Sequence, residues 1–243
     1  MKKRALLEIS VETLAAAIAA VRGGADRVEL CEDLSVGGVT PSAGLMREAR
    51  RQIQIPIFVM IRPRGGDFYY SAAEFAEMKA HIESAKSTRM DGVVFGILTA
   101  DGRVDVQRNK ELVKSAKPLP ATFHRAFDAL GDLQTGLEDV IATGVTRVLT
   151  SGGGATAEEG VASIARLLRQ AGDRVTILPG GGIRPGNLRK IARDARASEF
   201  HSGLSNMLPA RGGTLELFEE GVRTLARVLE EETRILEPTT KVN

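Results

Sequence analysis

Eight short apolar stretches, each followed by a helix-forming stretch and joined without linkers, run the length of the chain. The strand-like runs are Ala5–Val11, Arg27–Cys31, Ile55–Pro63, Asp91–Gly96, Pro120–Phe127, Thr146–Ser151, Arg174–Pro179 and Ser198–Ser202. Helix signals fill the gaps. Gly23-Gly24 stops an alanine-rich run, Pro41 suits a first turn, and Ser71 with Glu74 three residues on reads as a capping box. Strict alternation demands a parallel sheet, because each parallel strand is regained through a crossover. Eight units in 243 residues match a closed barrel. The reading is one α/β domain over residues 1–243, a single-domain (β/α)8 TIM barrel, with residues 236–243 as a loose tail. An open doubly wound sheet carries fewer strands, and no G-x-G-x-x-G follows the first strand. A short echo, Gly24-Ala25-Asp26-Arg27-Val28 against Gly144-Val145-Thr146-Arg147-Val148, has the half-chain spacing of a duplicated half-barrel.

Composition excludes several roles. The 33 basic and 31 acidic residues nearly cancel, and two tyrosines with no tryptophan leave little to stack on bases, so nucleic acid is not an expected partner. Glu8 interrupts the first apolar run before it forms a signal segment, and no run approaches the roughly 18 apolar residues of a membrane span. A single cysteine suits a reducing compartment, which makes the expected location cytoplasmic. The expected partner is a small molecule or a metal ion. Barrels of this size also dimerise through helix faces, so a homo-oligomer is compatible with the sequence.

Alternation on each strand sorts the side chains. The outer face packs on helices and is apolar, so Leu7, Ile9, Val11, Val28, Leu30, Ile57, Val59, Phe123 and Phe200 point outward. The interior then receives Glu8, Ser10, Arg27, Glu29, Cys31, Met60, Arg62, His124, Glu199 and His201. Unpaired buried charges cost several kcal/mol each, so these groups pair with one another or bind something. A salt-bridge lattice accounts for any one of them; the whole set near one rim reads as a ligand pocket. In that pocket Glu8 or Glu29 serves as base and His124 as acid, with Arg62 holding an anion beside His201. The arrangement suits proton abstraction next to a carbonyl. The loops carrying Thr150, Ser151, Gly152, Gly181, Gly182 and Ser202 offer backbone N–H groups for an anion, although glycine also serves tight turns. Cys31 is either a soft-metal ligand or a small buried strand residue. No cofactor is required by the sequence.

The runs Glu29-Leu30-Cys31, Gly37-Gly38-Val39-Thr40-Pro41-Ser42, Ile61-Arg62-Pro63-Arg64-Gly65-Gly66-Asp67-Phe68, Thr122-Phe123-His124-Arg125-Ala126-Phe127-Asp128, Leu149-Thr150-Ser151-Gly152 and Glu199-Phe200-His201-Ser202 resemble the CutC family over nearly the whole chain. The resemblance implies a TIM barrel with a cytoplasmic role in copper homeostasis. It also implies copper(I) bound through Cys31 at the C-terminal mouth. The family pattern places a cysteine where this chain has Ser10, so the second thiol is replaced by a hydroxyl, a poor ligand for copper(I). Two functions are therefore expected. One is a copper-homeostasis protein with a Cys31 site. The other is an isomerase-, epimerase- or lyase-like barrel enzyme for a small anionic metabolite, phosphorylated or not, in a Glu/Arg/His-lined pocket.

Overall fold

The computed structural model describes residues 5–236. Its elements alternate without exception: β1 (Leu6–Val11), α1 (Leu14–Gly23), β2 (Arg27–Leu30), α2 (Ala43–Gln52), β3 (Ile57–Met60), α3 (Ala72–Ser87), β4 (Gly92–Phe95), α4 (Val106–Ala116), β5 (Ala121–Phe123), α5 (Leu133–Thr143), β6 (Arg147–Thr150), α6 (Val161–Ala171), β7 (Thr176–Pro179), α7 (Leu188–Ala195), β8 (Glu199–Ser202) and α8 (Leu215–Leu236). The expected tail lies outside the described residues apart from Leu236, which ends α8. All ladders are parallel, in the order β7-β6-β5-β4-β3-β2-β1-β8. Strand β1 thus sits between β2 and β8. The one seam without a ladder among the described residues is β7–β8, spanned by a Ser202 hydroxyl bond to the Ile183 carbonyl at 2.7 Å. This is a nearly closed TIM barrel.

Local chemistry sets the helix starts. Thr13, Ser42, Asp105 and Asp132 each accept a backbone N–H at a helix N-terminus, and Ser71 forms the full capping box with Glu74. Helix α2 starts after Ser42 rather than at Pro41, because the serine hydroxyl takes an orphan donor that proline cannot satisfy. Strand β5 is shorter than expected and ends at Phe123. His124 instead caps a 3₁₀ turn, Arg125–Ala129, by accepting the Ala126 N–H on Nδ1.

Two apolar regions follow from the alternation. The outward residues Leu7, Ile9, Val28, Leu30, Ile57, Val59, Phe123 and Phe200 are buried between strands and helices. A separate cluster inside the barrel comprises Cys31, Phe58, Met60 and Val94. Below it the interior is charged, with Glu8, Arg27 and Glu29 all buried.

Candidate active site at the barrel mouth

The strand registers stack the interior side chains. Glu8 lies level with Arg27 on one side and His201 on the other, and Ser10 lies level with Glu29. Arg27 donates through Nε to Glu8 and through Nη2 to Glu199 at 2.6 Å. Arg147 reaches the same Glu199 carboxylate at 3.2 Å. The two guanidinium groups also stack on Phe58, at 4.7 and 4.9 Å from the ring centre. These charges neutralise one another and form the floor of the site. Arg147 was hidden by the undecided pattern of β6, yet the half-chain echo aligns it with Arg27.

Above the floor stands an acid–base group. His201 Nδ1 lies 2.7 Å from Glu8, and its Nε2 lies 3.9 Å from Glu29. Burial pushes Glu8 up, but Arg27 and His201 outweigh it and hold Glu8 as a carboxylate, far below its ordinary range. Burial pulls His201 down, but Glu29 and Glu8 together raise it above its usual value. Glu29 meets no guanidinium directly among the described residues, and His201 stands 3.9 Å away. Burial pushes it up to about 7, with His201 opposing and Glu8 adding to the rise. Its Oε1 is buried without a hydrogen-bond partner. Glu29 and His201 thus face each other as an acid–base pair without a direct hydrogen bond, while Glu8 orients the imidazole.

The opposite wall carries donors. His124 is 3% exposed, and burial together with the Arg62 charge lowers it to about 3, so the ring is neutral. Because Nδ1 accepts the Ala126 N–H at 3.2 Å, the ring proton is on Nε2, which has no partner. Gly96 makes room for this ring: a Cβ there would lie 2.7 Å from Nδ1. Arg62 binds the Val36, Gly38 and Gly66 carbonyls through its Nη atoms at 2.9, 3.0 and 2.9 Å. It therefore ties together the loops after β2 and β3. Its Nε–H remains buried and unpaired. Phe68 packs against both groups, 4.9 Å from the Arg62 guanidinium and 5.0 Å from the His124 ring. Between the two walls lies a cavity of about 320 Å³, whose lining includes Ser10, Glu29, Arg62, His124, Arg125 and His201.

The structure therefore gathers Glu29, Arg62, His124 and His201 around one space and places Glu8 directly behind them. The candidate anion-binding residues do not join this lining. Thr150 Oγ1 and the Ser151 N–H donate to Asp128, while Gly152 N–H donates to Thr150. Ser202 is spent on the β7–β8 seam, and Gly181 lies against the Arg125 guanidinium. The sequence pattern gives no sign of Asp128's role, because its partners Thr150 and Ser151 lie more than twenty residues further on.

The TIM barrel thus carries an acid–base pair and two buried donors at its C-terminal mouth, the end where barrel proteins place their sites. The chain belongs to the CutC family, whose family model matches residues 5–206. A CutC family protein from Chromobacterium violaceum is 47% identical over 226 residues, covering 91% of this chain and 92% of its own. The human copper homeostasis protein cutC homolog is 50% identical over 196 residues, 81% of this chain and 72% of its own. The crystal structure of the CutC protein from Streptococcus agalactiae superposes with a TM-score of 0.78 at 33% identity, covering 82% of this chain and 98% of that one.

The residues at hand do not suit copper(I) through Cys31. The thiol is fully buried, packs with Phe58, Met60 and Val94, and lies 3.5 Å from the Val11 carbonyl. Burial, with Glu29, Glu12 and Glu32 nearby, pushes it well above its usual pKa, away from the thiolate that binds metal. Among the described His, Cys, Asp and Glu side chains, the group converging within 4.8 Å is Glu8, Glu29 and His201, a harder donor set than copper(I) prefers. Cys31 is expected to resist a thiol reagent in the folded protein and to react fully once denatured. Prompt labelling of the native protein would show that the sulfur is reachable after all. No helix among the described residues is long and apolar enough to cross a membrane.

Proposed function

We propose that this chain is an enzyme that moves a proton next to the carbonyl of a small anionic metabolite, in the manner of an isomerase, epimerase or lyase. One observation carries the reading. The Glu29–His201 pair and a neutral His124, whose Nε2–H has no partner, border the same cavity. A neutral imidazole is a suitable electrophile for a carbonyl oxygen, since it donates a hydrogen bond without giving up its proton fully. His124 Nε2–H and Arg62 Nε–H stabilise the developing oxyanion. Glu29 takes the proton from carbon, and His201 returns or relays it while Glu8 holds Nδ1. The test is proton NMR in D2O with a panel of small anionic carbonyl compounds. Loss of a C–H signal next to the carbonyl is expected, about 10²-fold slower in His124→Phe. A panel in which every signal decays at the uncatalysed rate, or an unaffected His124→Phe, would overturn the reading.

A further inference from the structure

Barrels commonly hold phosphate on backbone N–H groups in the loops after their last strands. In this chain the loop after β6 already holds an anion of its own. The Asp128 carboxylate accepts Thr150 Oγ1, the Ser151 N–H at 3.0 Å and the Gly153 N–H at 3.2 Å. Arg125 closes the other side, with Nε 2.8 Å from Asp128 and Nη2 3.1 Å from the Ser151 hydroxyl. Asp128 therefore occupies the cradle and offsets the charge of Arg125.

The remaining charges around the cavity can be counted. Arg27 and Arg147 are offset by Glu8 and Glu199, and Glu29 with His201 is neutral when they share one proton. His124 is neutral. Arg62 is left: its Nη atoms meet only backbone carbonyls, and no carboxylate pairs with it among the described residues. One negative charge on a ligand balances it. A phosphate ester carries nearly two at neutral pH and would leave a net charge in a buried site. Apolar walls from Leu34, Met60, Phe68 and Leu149 complete the space.

We infer that the cavity takes a small monocarboxylate bearing a carbonyl, a 2-oxo acid in chemistry, and that Asp128 is a built-in anion that keeps phosphate esters out. The carbonyl in this inference rests on the proton-transfer reading; the anion preference rests on Asp128, on Arg62 and on the charge balance of the groups around them.

The experiment measures thermal shifts with 2-oxobutyrate, 2-oxoisovalerate, glycerol 3-phosphate and inorganic phosphate on the wild type, Asp128→Ala and Asp128→Asn. At about ten times Kd an upward shift of about 3–6 °C is expected for a 2-oxo acid on the wild type, and none for either phosphate. At least one Asp128 variant is expected to gain a shift with inorganic phosphate, as its cradle opens. Asp128→Asn keeps the shape of the side chain and serves if Asp128→Ala does not fold. The inference is overturned if phosphates stabilise the wild type as well as the oxo acids do. It is also overturned if both oxo acids are silent, or if no folded Asp128 variant gains a phosphate response. A 2-oxo acid that binds without proton exchange removes the proton-transfer reading and leaves the anion preference standing. Exchange on a phosphorylated carbonyl compound does the reverse.

Discussion

Replacing Glu29 by glutamine is expected to stabilise the protein at pH 8 and to remove the proton transfer proposed for it. Glu29 is enclosed by His201, Glu8 and the cavity, with its side chain only 4% exposed. Burial dominates the rise of its folded pKa to about 7, from an ordinary 4.5. Between these values the folded state keeps a proton that the unfolded chain releases. Stability from this group therefore falls as pH rises through that window and is lost above it. Glutamine is neutral at every pH and avoids the penalty. The gain should be on the order of 1–3 kcal/mol at pH 8 and near zero at pH 4, read as a shift in the urea midpoint. Activity should fall by about 10²–10⁴. A midpoint that tracks the wild type across the whole pH range would show that Glu29 ionises in the fold as freely as in water. Opposite signs for stability and activity are what a residue retained for chemistry produces.

Glu8→Ala should have the larger structural effect, a loss of about 3–5 kcal/mol. Arg27 is 2% exposed and shares its guanidinium between Glu8 and Glu199. Without Glu8 it keeps half its partners, beside the like charge of Arg147, and His201 Nδ1 loses its carboxylate. The contribution is also acid-sensitive. Against the upward pull of burial, Arg27 and His201 depress the folded pKa of Glu8, so its stabilisation is complete above about 4.5 and disappears as pH falls through the depressed value. Glu138→Ala, which breaks an exposed pair with Arg174, is the control and should leave the urea midpoint close to that of the wild type. Urea unfolding of the two variants decides the matter. If Glu8→Ala matched the control, the floor of the barrel would be a set of independent pairs rather than a coupled network.

Much of this is legible in the sequence. The alternation of β1, β2, β3 and β8 assigned Glu8, Glu29, Arg62 and His201 to the interior because each is flanked by residues that must face helices. His124 was assigned inward on the same ground, although it lies one residue past β5. What stayed hidden was pairing. Which carboxylate meets which guanidinium depends on register between strands far apart in sequence, as with Arg147 and Glu199. The glycine loop after β6 looked open because the sequence does not reveal that Asp128 folds back into it. The strand pattern turns Cys31 inward, but its depth beneath Gly38, where a Cβ would lie 3.4 Å from the sulfur, follows only from the loop.

The ladder between β1 and β8 also bears on how the molecule assembles. Glu8 and His201 are 193 residues apart, and Arg27 and Glu199 are 172 apart. A chain emerging from the ribosome holds its first two strands long before β8 exists, and during that time Glu8 and Arg27 have each other but lack His201 and Glu199, which complete the network. A partly built barrel therefore has a reason to stay hydrated inside, and the interior dries only when the last strand docks. The step that seals the barrel is the same step that brings His201 to Glu8, so a chain that stops short of it has neither a finished core nor a working site.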